Sequence, residues 1–493
     1  MVSARRRDPA ALFAAALVVA ALLAAVTSAA PVAALVGIRG VYTGVGAIVT
    51  MVAVWSVGRS MPSGWSRSLE GAIILGATAN AVAAIFQALE ILPLAIPDSA
   101  AFGRSSGLVG NPVHLAALCA GGLAVAGRRA SERPWWPTLV AVGALAAGLN
   151  LAGGRAGIAS ALVGTAFALR RAPWRRVALT LLAAGLGLVL SFAIVAEPAN
   201  TGVQRAVRTS ESGRPDAWRA AVDAVAERPT LGFGPGRFGA LSTPRRSLEG
   251  RRAEIGLFLD AHNWLLEFAS TTGLLGVALL LGWLALAAAP ARGGLAIFAA
   301  VVGANGLLQP ASIAVTPLAL LALGGAHLQP RLAVPRTSRR LHVVTALASV
   351  AVSACFIAGD VNVTRIGQSP DGRLAFDRAR ALLPDSPDLL ARGASVELAS
   401  GTRSGAIRSL ALARRAIDLE PDVVNYHLMA ASAEVALGRE AAARERYERA
   451  LRADPWSVPA LQGLARTSGS DLASVHRACA RVRQLRPRAL CPL

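Results

Sequence analysis

The chain has 493 residues, of which 54% are hydrophobic and 16% charged, and a formal net charge of +21. Its apolar residues fall in blocks of about 16–25, the length of a bilayer crossing, which excludes a soluble globular enzyme and indicates a polytopic membrane protein. In a soluble protein so basic a balance would suggest nucleic acid; here the charges must first be sorted by side of the membrane, and no nucleic-acid partner is expected. All 50 basic residues are Arg, a compositional bias without functional weight, so individual arginines have to be argued from position.

The N-terminal "SARRRDPAALFAAALVVAALLAAV" has the basic start and apolar run of a secretory signal, but further apolar runs follow at once, so it is read as a retained first span. Runs near 10–30, 34–56, 71–95, 113–127, 137–153, 155–169, 177–196, 263–289, 294–309, 312–328 and 341–358 read as about 11 membrane helices, within a range of roughly 10–12. Arg5, Arg6, Arg7, Arg59, Arg67, Arg128, Arg129, Arg133, Arg170, Arg171, Arg175, Arg176, Arg292, Arg331, Arg336, Arg339 and Arg340 fall on alternate connections, which marks that side as cytoplasmic. The N-terminus is then cytoplasmic. The long connection 196–262 and everything beyond about 359 are extracytoplasmic, giving a membrane domain 1–359 and a second domain 360–493.

Within the long connection, Ala217, Trp218, Ala221, Val222 and Val225 share one helical face opposite Arg219, Asp223 and Glu227, the pattern of an interfacial helix with its Trp at headgroup level. "LGFGPGRF" after Pro229 predicts a tight turn, either an ordinary loop or an anion cradle of backbone N–H groups. The tail after 360 turns to amphipathic helices. Pro387, Pro421 and Pro455 recur every 34 residues, the tetratricopeptide period, and Ala443, Tyr447 and Ala450 stand at the small, aromatic and small positions of a repeat, with Ala416 equivalent to Ala450. About three repeats are expected, either to bind a protein or to act as a scaffold over the loop beneath them. Cys119, Cys355, Cys479 and Cys491 show no metal-ligand or CxxC spacing. Cys119 and Cys355 read as small hydrophobes within spans, while Cys479 and Cys491 are able to pair in an oxidising compartment.

Four arginines break the sidedness rule. Arg104, Arg155, Arg214 and Arg237 lie at outward span ends or in the long connection. Each can serve as a headgroup anchor, but together they suit a diphosphate, because guanidinium forks match phosphate oxygens and keep their charge at a low-dielectric boundary. His262 opens the span that follows the long connection. It reads as an interfacial residue or as a catalyst, with Asp260 as an orienting neighbour and Asn263 as a helix cap.

At these positions the chain resembles the O-antigen ligase and O-antigen polymerase family of membrane glycosyltransferases. The family's ligase signature is His, then Asn, Ser or Gln, nine residues, Gly, two residues and a small residue or Tyr. Here it is met by His262, Asn263, Gly273 and Gly276. "RPTLGFGPGRF" is similar to a second family element with Arg237 at an Asn-like position. "SGRPDAW" carries Arg214; "GGRAG" carries Arg155, with Gly154 where Ser is usual; and "RSSGLVGNPVHLA" carries Arg104, Asn111 and Pro112, with His114 replacing a usual Asn. The likeness covers about 100–330; the first spans match only in hydrophobicity, and the repeats are an appendage of some members.

The resemblance implies an all-α bundle of roughly a dozen spans whose large extracytoplasmic loop caps a lipid-facing cavity. It implies transfer of a glycan from an undecaprenyl-diphosphate carrier to an acceptor hydroxyl on a glycan, lipid or protein, at the extracytoplasmic face of the plasma membrane, without a metal; direct attack by the hydroxyl would invert the anomeric centre, and no cofactor is expected. His262 would be the general base, and Arg104, Arg155, Arg214 and Arg237 would neutralise the diphosphate. A polymerase, a protein O-oligosaccharyltransferase, a lipid-linked sugar transporter and an assembly scaffold recruited through the repeats remain alternatives. Against a transporter, the charges gather at one face rather than at mid-membrane.

Overall fold

The computed structural model describes residues 8–37, 43–62, 64–91, 104–194, 214–252, 258–312, 314–326, 372–383, 386–468 and 471–486, with a few isolated positions between 358 and 366. The expected boundary near 359, the run 341–358, and Arg331, Arg336, Arg339 and Arg340 therefore lie outside the described residues, apart from position 358. Every regular element among those described is a helix, and no strand occurs.

Local chemistry explains where the helices begin. Asp8 accepts the Ala10 N–H at 3.1 Å and Pro9 opens α1 (Pro9–Val26). Then come α2 (Pro31–Val36), α3 (Val45–Ser60) and α4 (Trp65–Ala88). The run predicted at 34–56 is thus divided, because Gly37, at φ 86°, ends α2. Asn111 caps α5 (Pro112–Glu132) by accepting the Val113 N–H at 2.8 Å. It is followed by α6 (Trp136–Ala152), α7 (Arg155–Leu169) and α8 (Trp174–Ala193). The long connection contributes α9 (Arg214–Glu227), α10 (Phe238–Ser242) and α11 (Leu248–Arg252) before the chain re-enters the bundle as α12 (Trp264–Ala288), α13 (Gly293–Asn305) and α14 (Val315–Gly325).

Four of these, α1, α4, α8 and α12, are long and apolar enough to cross a membrane, and α3, α6, α7, α13 and α14 are shorter apolar helices. Together they make a membrane protein. Leu182, Val189 and Leu190 stand exposed on α8, a surface that water would not tolerate and lipid would cover. Inside the bundle small residues let backbones touch: a Cβ at Gly58 would lie 2.3 Å from the Leu321 carbonyl oxygen, so α3 and α14 meet with no side chain between them.

In the long connection the predicted helix α9 is present, but its buried face is Ala217, Ala220, Ala221 and Ala224, while Val222 is 55% exposed. The alanines allow close packing with Phe238, Leu241 and Ala261, so the partner rather than hydropathy chose the face.

The C-terminal helices are α15 (Gly372–Leu382), α16 (Pro387–Ala399), α17 (Arg403–Leu419), α18 (Val424–Ala436), α19 (Glu440–Ala453), α20 (Val458–Thr467) and α21 (Leu472–Leu485). They form three tetratricopeptide-like pairs, α16 with α17, α18 with α19 and α20 with α21, preceded by α15. Ala443, Tyr447 and Ala450 are buried as the repeat pattern requires, and Gly463 leaves room for the Tyr447 ring, which an added Cβ would approach to 2.3 Å. Cys119 is buried and free, Cys479 is disulfide-bonded, and Cys491 and Cys355 lie outside the described residues.

Candidate active site

His262 occupies a backbone conformation rare for a residue with a side chain, φ 51°. Four hydrogen bonds hold it there. The Asp260 carboxylate accepts the His262 N–H at 2.7 Å, Glu267 accepts the Ala261 N–H at 2.8 Å, and Asn263 caps α12 by accepting the Leu265 and Leu266 N–H groups at 2.9 and 3.1 Å. Trp264 fastens the same turn to α13, its backbone N–H donating to Gly306 and its indole N–H to Gly303, both at 3.1 Å.

The Asp260 oxygen that takes the backbone N–H also lies 2.8 Å from His262 Nδ1. A carboxylate at that distance keeps the ring proton on Nδ1 and leaves Nε2 as the basic nitrogen. Burial opposes a charge on the ring. The hydrogen-bonded, negative Asp260 outweighs it and raises the imidazole above its ordinary value, with Arg214 close enough to pull the other way. Phe258 sits edge-on to the ring, 5.3 Å between centroids.

The turn lines a cavity of about 30 Å³ with Pro235, Asp260, His262, Asn263, Glu267 and Thr271 among its walls, room for one water or one hydroxyl. Ile48, Met51, Trp264, Phe268, Pro310 and Ala311 belong both to this cavity and to a second of about 1440 Å³ that runs through the bundle. The larger is lined by apolar residues of α1, α3, α7, α12, α13 and α14 and by His114 of α5; at its far end stand Arg128, Arg170, Arg171 and Arg176.

Gly273 shows why its position demands glycine. It adopts φ 73° and ψ −179° and breaks α12, and a Cβ there would lie 2.1 Å from the Thr230 carbonyl oxygen. The "LGFGPGRF" turn, with Gly232, Gly234 and Gly236 all at positive φ, satisfies the groups the break exposes. Phe233 and Gly234 donate to the Ser270 and Thr271 carbonyls at 3.0 and 2.8 Å, and Leu274 donates to Pro229 at 2.8 Å. The Phe233 and Gly234 N–H groups of the turn are thus engaged in that splice. Gly276 packs on Thr272, whose hydroxyl an added Cβ would meet at 2.1 Å.

Arg104 donates through Nε at 2.8 Å and Nη2 at 2.5 Å to the Ala152 carbonyl at the end of α6, immediately before Arg155 opens α7. Arg104 is thereby anchored beside the start of α7, where Arg155 stands and whose Ala156 and Ser160 line the large cavity. Arg214 opens α9, which Asp216 secures by accepting the Ser247 N–H at 3.0 Å and an Arg219 bond at 2.6 Å. Burial opposes the Asp216 charge, but those bonds hold its carboxyl below the usual range.

Arg237 departs from the expectation that groups it with the diphosphate cations. It is 2% exposed, and its guanidinium is ion-paired with Glu420 and Asp422 of the repeats. The reason is tertiary: the repeats pack onto the long connection and bring two carboxylates to it.

A family model described as "O-Antigen ligase" matches residues 115–281. The resemblance read from the motifs is thereby met. A tetratricopeptide repeat model matches 424–467. No curated protein matches. Among solved structures, the crystal structure of the yeast Tom70 is similar over 78% of this chain and 86% of that one, at 12% identity and a TM-score of 0.22, a likeness too loose to carry an argument.

The ligase match contains Arg155, Arg214, Arg237, Asp260, His262, Asn263, Gly273 and Gly276 and begins after Arg104 and His114. It points to a glycosyltransferase-type enzyme of surface polysaccharide biosynthesis. It also contains Glu267, which sequence reasoning missed. Glu267 is buried beside His262, and its Oε1 has no hydrogen-bond partner among the described residues. The signal was available, since it is the one acidic residue in the apolar stretch 264–288 and a carboxyl in such a stretch requires a cause.

Proposed function

We propose that the protein transfers a glycan from a polyprenyl diphosphate to an acceptor hydroxyl at the extracytoplasmic membrane face, with the N-terminus cytoplasmic, about 11 spans, and both the connection 196–262 and the repeats 360–493 outside. One observation carries this reading: the Asp260–His262 pair, joined through Nδ1, lines a hydroxyl-sized cavity that shares walls with a large apolar one.

In this mechanism the acceptor hydroxyl enters the small cavity and donates its proton to Nε2 as its oxygen attacks the anomeric carbon. The bond from that carbon to the diphosphate oxygen breaks, and its electron pair leaves with the diphosphate. The anomeric centre inverts in one displacement. Arg104, Arg155 and Arg214 neutralise the departing charge, so the step needs electrostatic stabilisation rather than an acid or a metal. The large cavity accepts the prenyl chain.

His262→Ala, assayed in membranes with a lipid-linked glycan and candidate glycan, lipid and protein acceptors, should lose transfer by about 10²–10⁴-fold. Near-normal transfer would end the general-base assignment. The acceptor that is consumed separates a ligase from a polymerase and from a protein oligosaccharyltransferase.

A further inference from the structure

The repeats meet the long connection through acidic residues at equivalent repeat positions. Glu420 precedes Pro421 and Asp454 precedes Pro455, one 34-residue period apart. Each captures an arginine of the connection. Glu420, with Asp422, holds Arg237; Asp454 holds Arg251 through Oδ1 at 2.7 Å, and Arg252 donates to the Gln484 carbonyl at 2.9 Å. The Arg237 and Glu420 side chains are 2% and 5% exposed, closed to solvent and its screening. These contacts favour the scaffold role for this part of the repeats.

Arg237 also stands at a mechanically sensitive place. Its neighbour Phe238 is packed with Ala217, Ala221 and Ala261, and Pro235 walls the His262 cavity. The turn between Pro229 and Gly236 is hydrogen-bonded into the α12 break, and Arg251 donates back to the Thr243 carbonyl at 2.6 Å. A shift of either guanidinium is therefore passed through packed atoms to the residue that precedes His262.

We infer that Glu420, Asp422 and Asp454 are positioning residues: through Arg237 and Arg251 the repeats hold the long connection against α12 and set the shape of the His262 cavity. The consequence for catalysis rests on the transferase reading; the mechanical coupling does not. Removing one member of a buried ion pair leaves an uncompensated charge, whereas exchanging the signs of both keeps the pair.

The test uses the full-length protein in lipid nanodiscs, with hydrogen exchange of residues 229–241 as one readout and transfer kinetics as the other. Glu420→Gln should speed exchange in that segment by about tenfold or more while 424–467 stays protected. It should also lower kcat rather than raise KM and shift the acidic limb of the rate profile, because the imidazole is displaced from Asp260. Arg237→Glu should act alike, and Arg237→Glu combined with Glu420→Arg and Asp422→Asn should regain protection to within about threefold of the parent. Where the Arg237 variants fail to fold, Asp454→Asn reads the second hold as faster exchange at 243–252. Unchanged exchange in Glu420→Gln and Asp454→Asn, or a combined variant as exposed as Arg237→Glu alone, overturns the inference. Exchange that responds while His262→Ala retains transfer leaves the coupling standing and removes the transferase reading alone.

Discussion

The two polar clusters of the long connection are assembled in opposite ways. Asp260, His262 and Glu267 come from one stretch of eight residues, 260–267, whereas Arg237 meets Glu420 and Asp422 across 183 and 185 residues. The first is built by hydrogen bonds from backbone N–H groups to side chains within a single turn, and the packing of the long connection on that turn adjusts it. The second exists only when two domains dock. The local cluster should therefore answer to changes of geometry and hydrogen bonding, and the remote one to changes of charge.

The largest break in that contrast is expected at Gly273. Gly273→Ala puts a Cβ against the Thr230 carbonyl at a positive φ, and with backbone atoms on both sides neither can yield. Roughly 3 kcal/mol or more of stability should be lost, seen as a lower thermal midpoint in detergent. A midpoint equal to the parent's would mean that the break in α12 is not needed.

Asp260→Asn should come next, lowering transfer by up to about 10⁴-fold, because the ring loses the carboxylate that holds its tautomer and orientation. Its pH dependence has a defined sign. As a base His262 works only when neutral, and because Asp260 lifts it above its ordinary value, with Arg214 opposing, the acidic limb of the rate profile should lie above that value. Without the carboxylate charge the limb should move to lower pH; a limb that stays in place assigns it to another group.

Glu267→Leu frees the Ala261 N–H and should destabilise the turn by about 1–3 kcal/mol, while Glu267→Gln keeps an acceptor and should cost less. Equal losses in circular-dichroism melts would show that the acceptor is not what matters. Asp422→Asn should have the smallest effect, at most about 1 kcal/mol, because Asp422 is 41% exposed where Glu420 is 5%. An Asp422 variant worse than the Glu420→Gln variant would reverse the ranking of the two contacts.

Much of the fold was legible from period and length. Helices stand near ten of the eleven predicted runs, and the tetratricopeptide pairing follows Pro387, Pro421 and Pro455. The face of α9 was not legible, since alanine and valine are equally apolar and only the neighbouring Phe238 and Ala261 distinguish them. Among the site residues, Asn263 was readable as a cap because the motif is local. The pairing of Arg104 with the Ala152 carbonyl was not, because a carbonyl carries no sequence mark.

By itself the sequence determined the helical class, the apolar segments, the repeats, and the His262 turn, since all of these depend on residues within a few positions of one another. Tertiary structure decided what Gly273 is for, where the Glu267 carboxyl sits, and that Arg237 answers to the repeats. The physical reason is that a guanidinium pairs with whichever charge folding brings within reach, and side-chain chemistry alone does not distinguish a carboxylate of the same chain from the phosphate of a lipid.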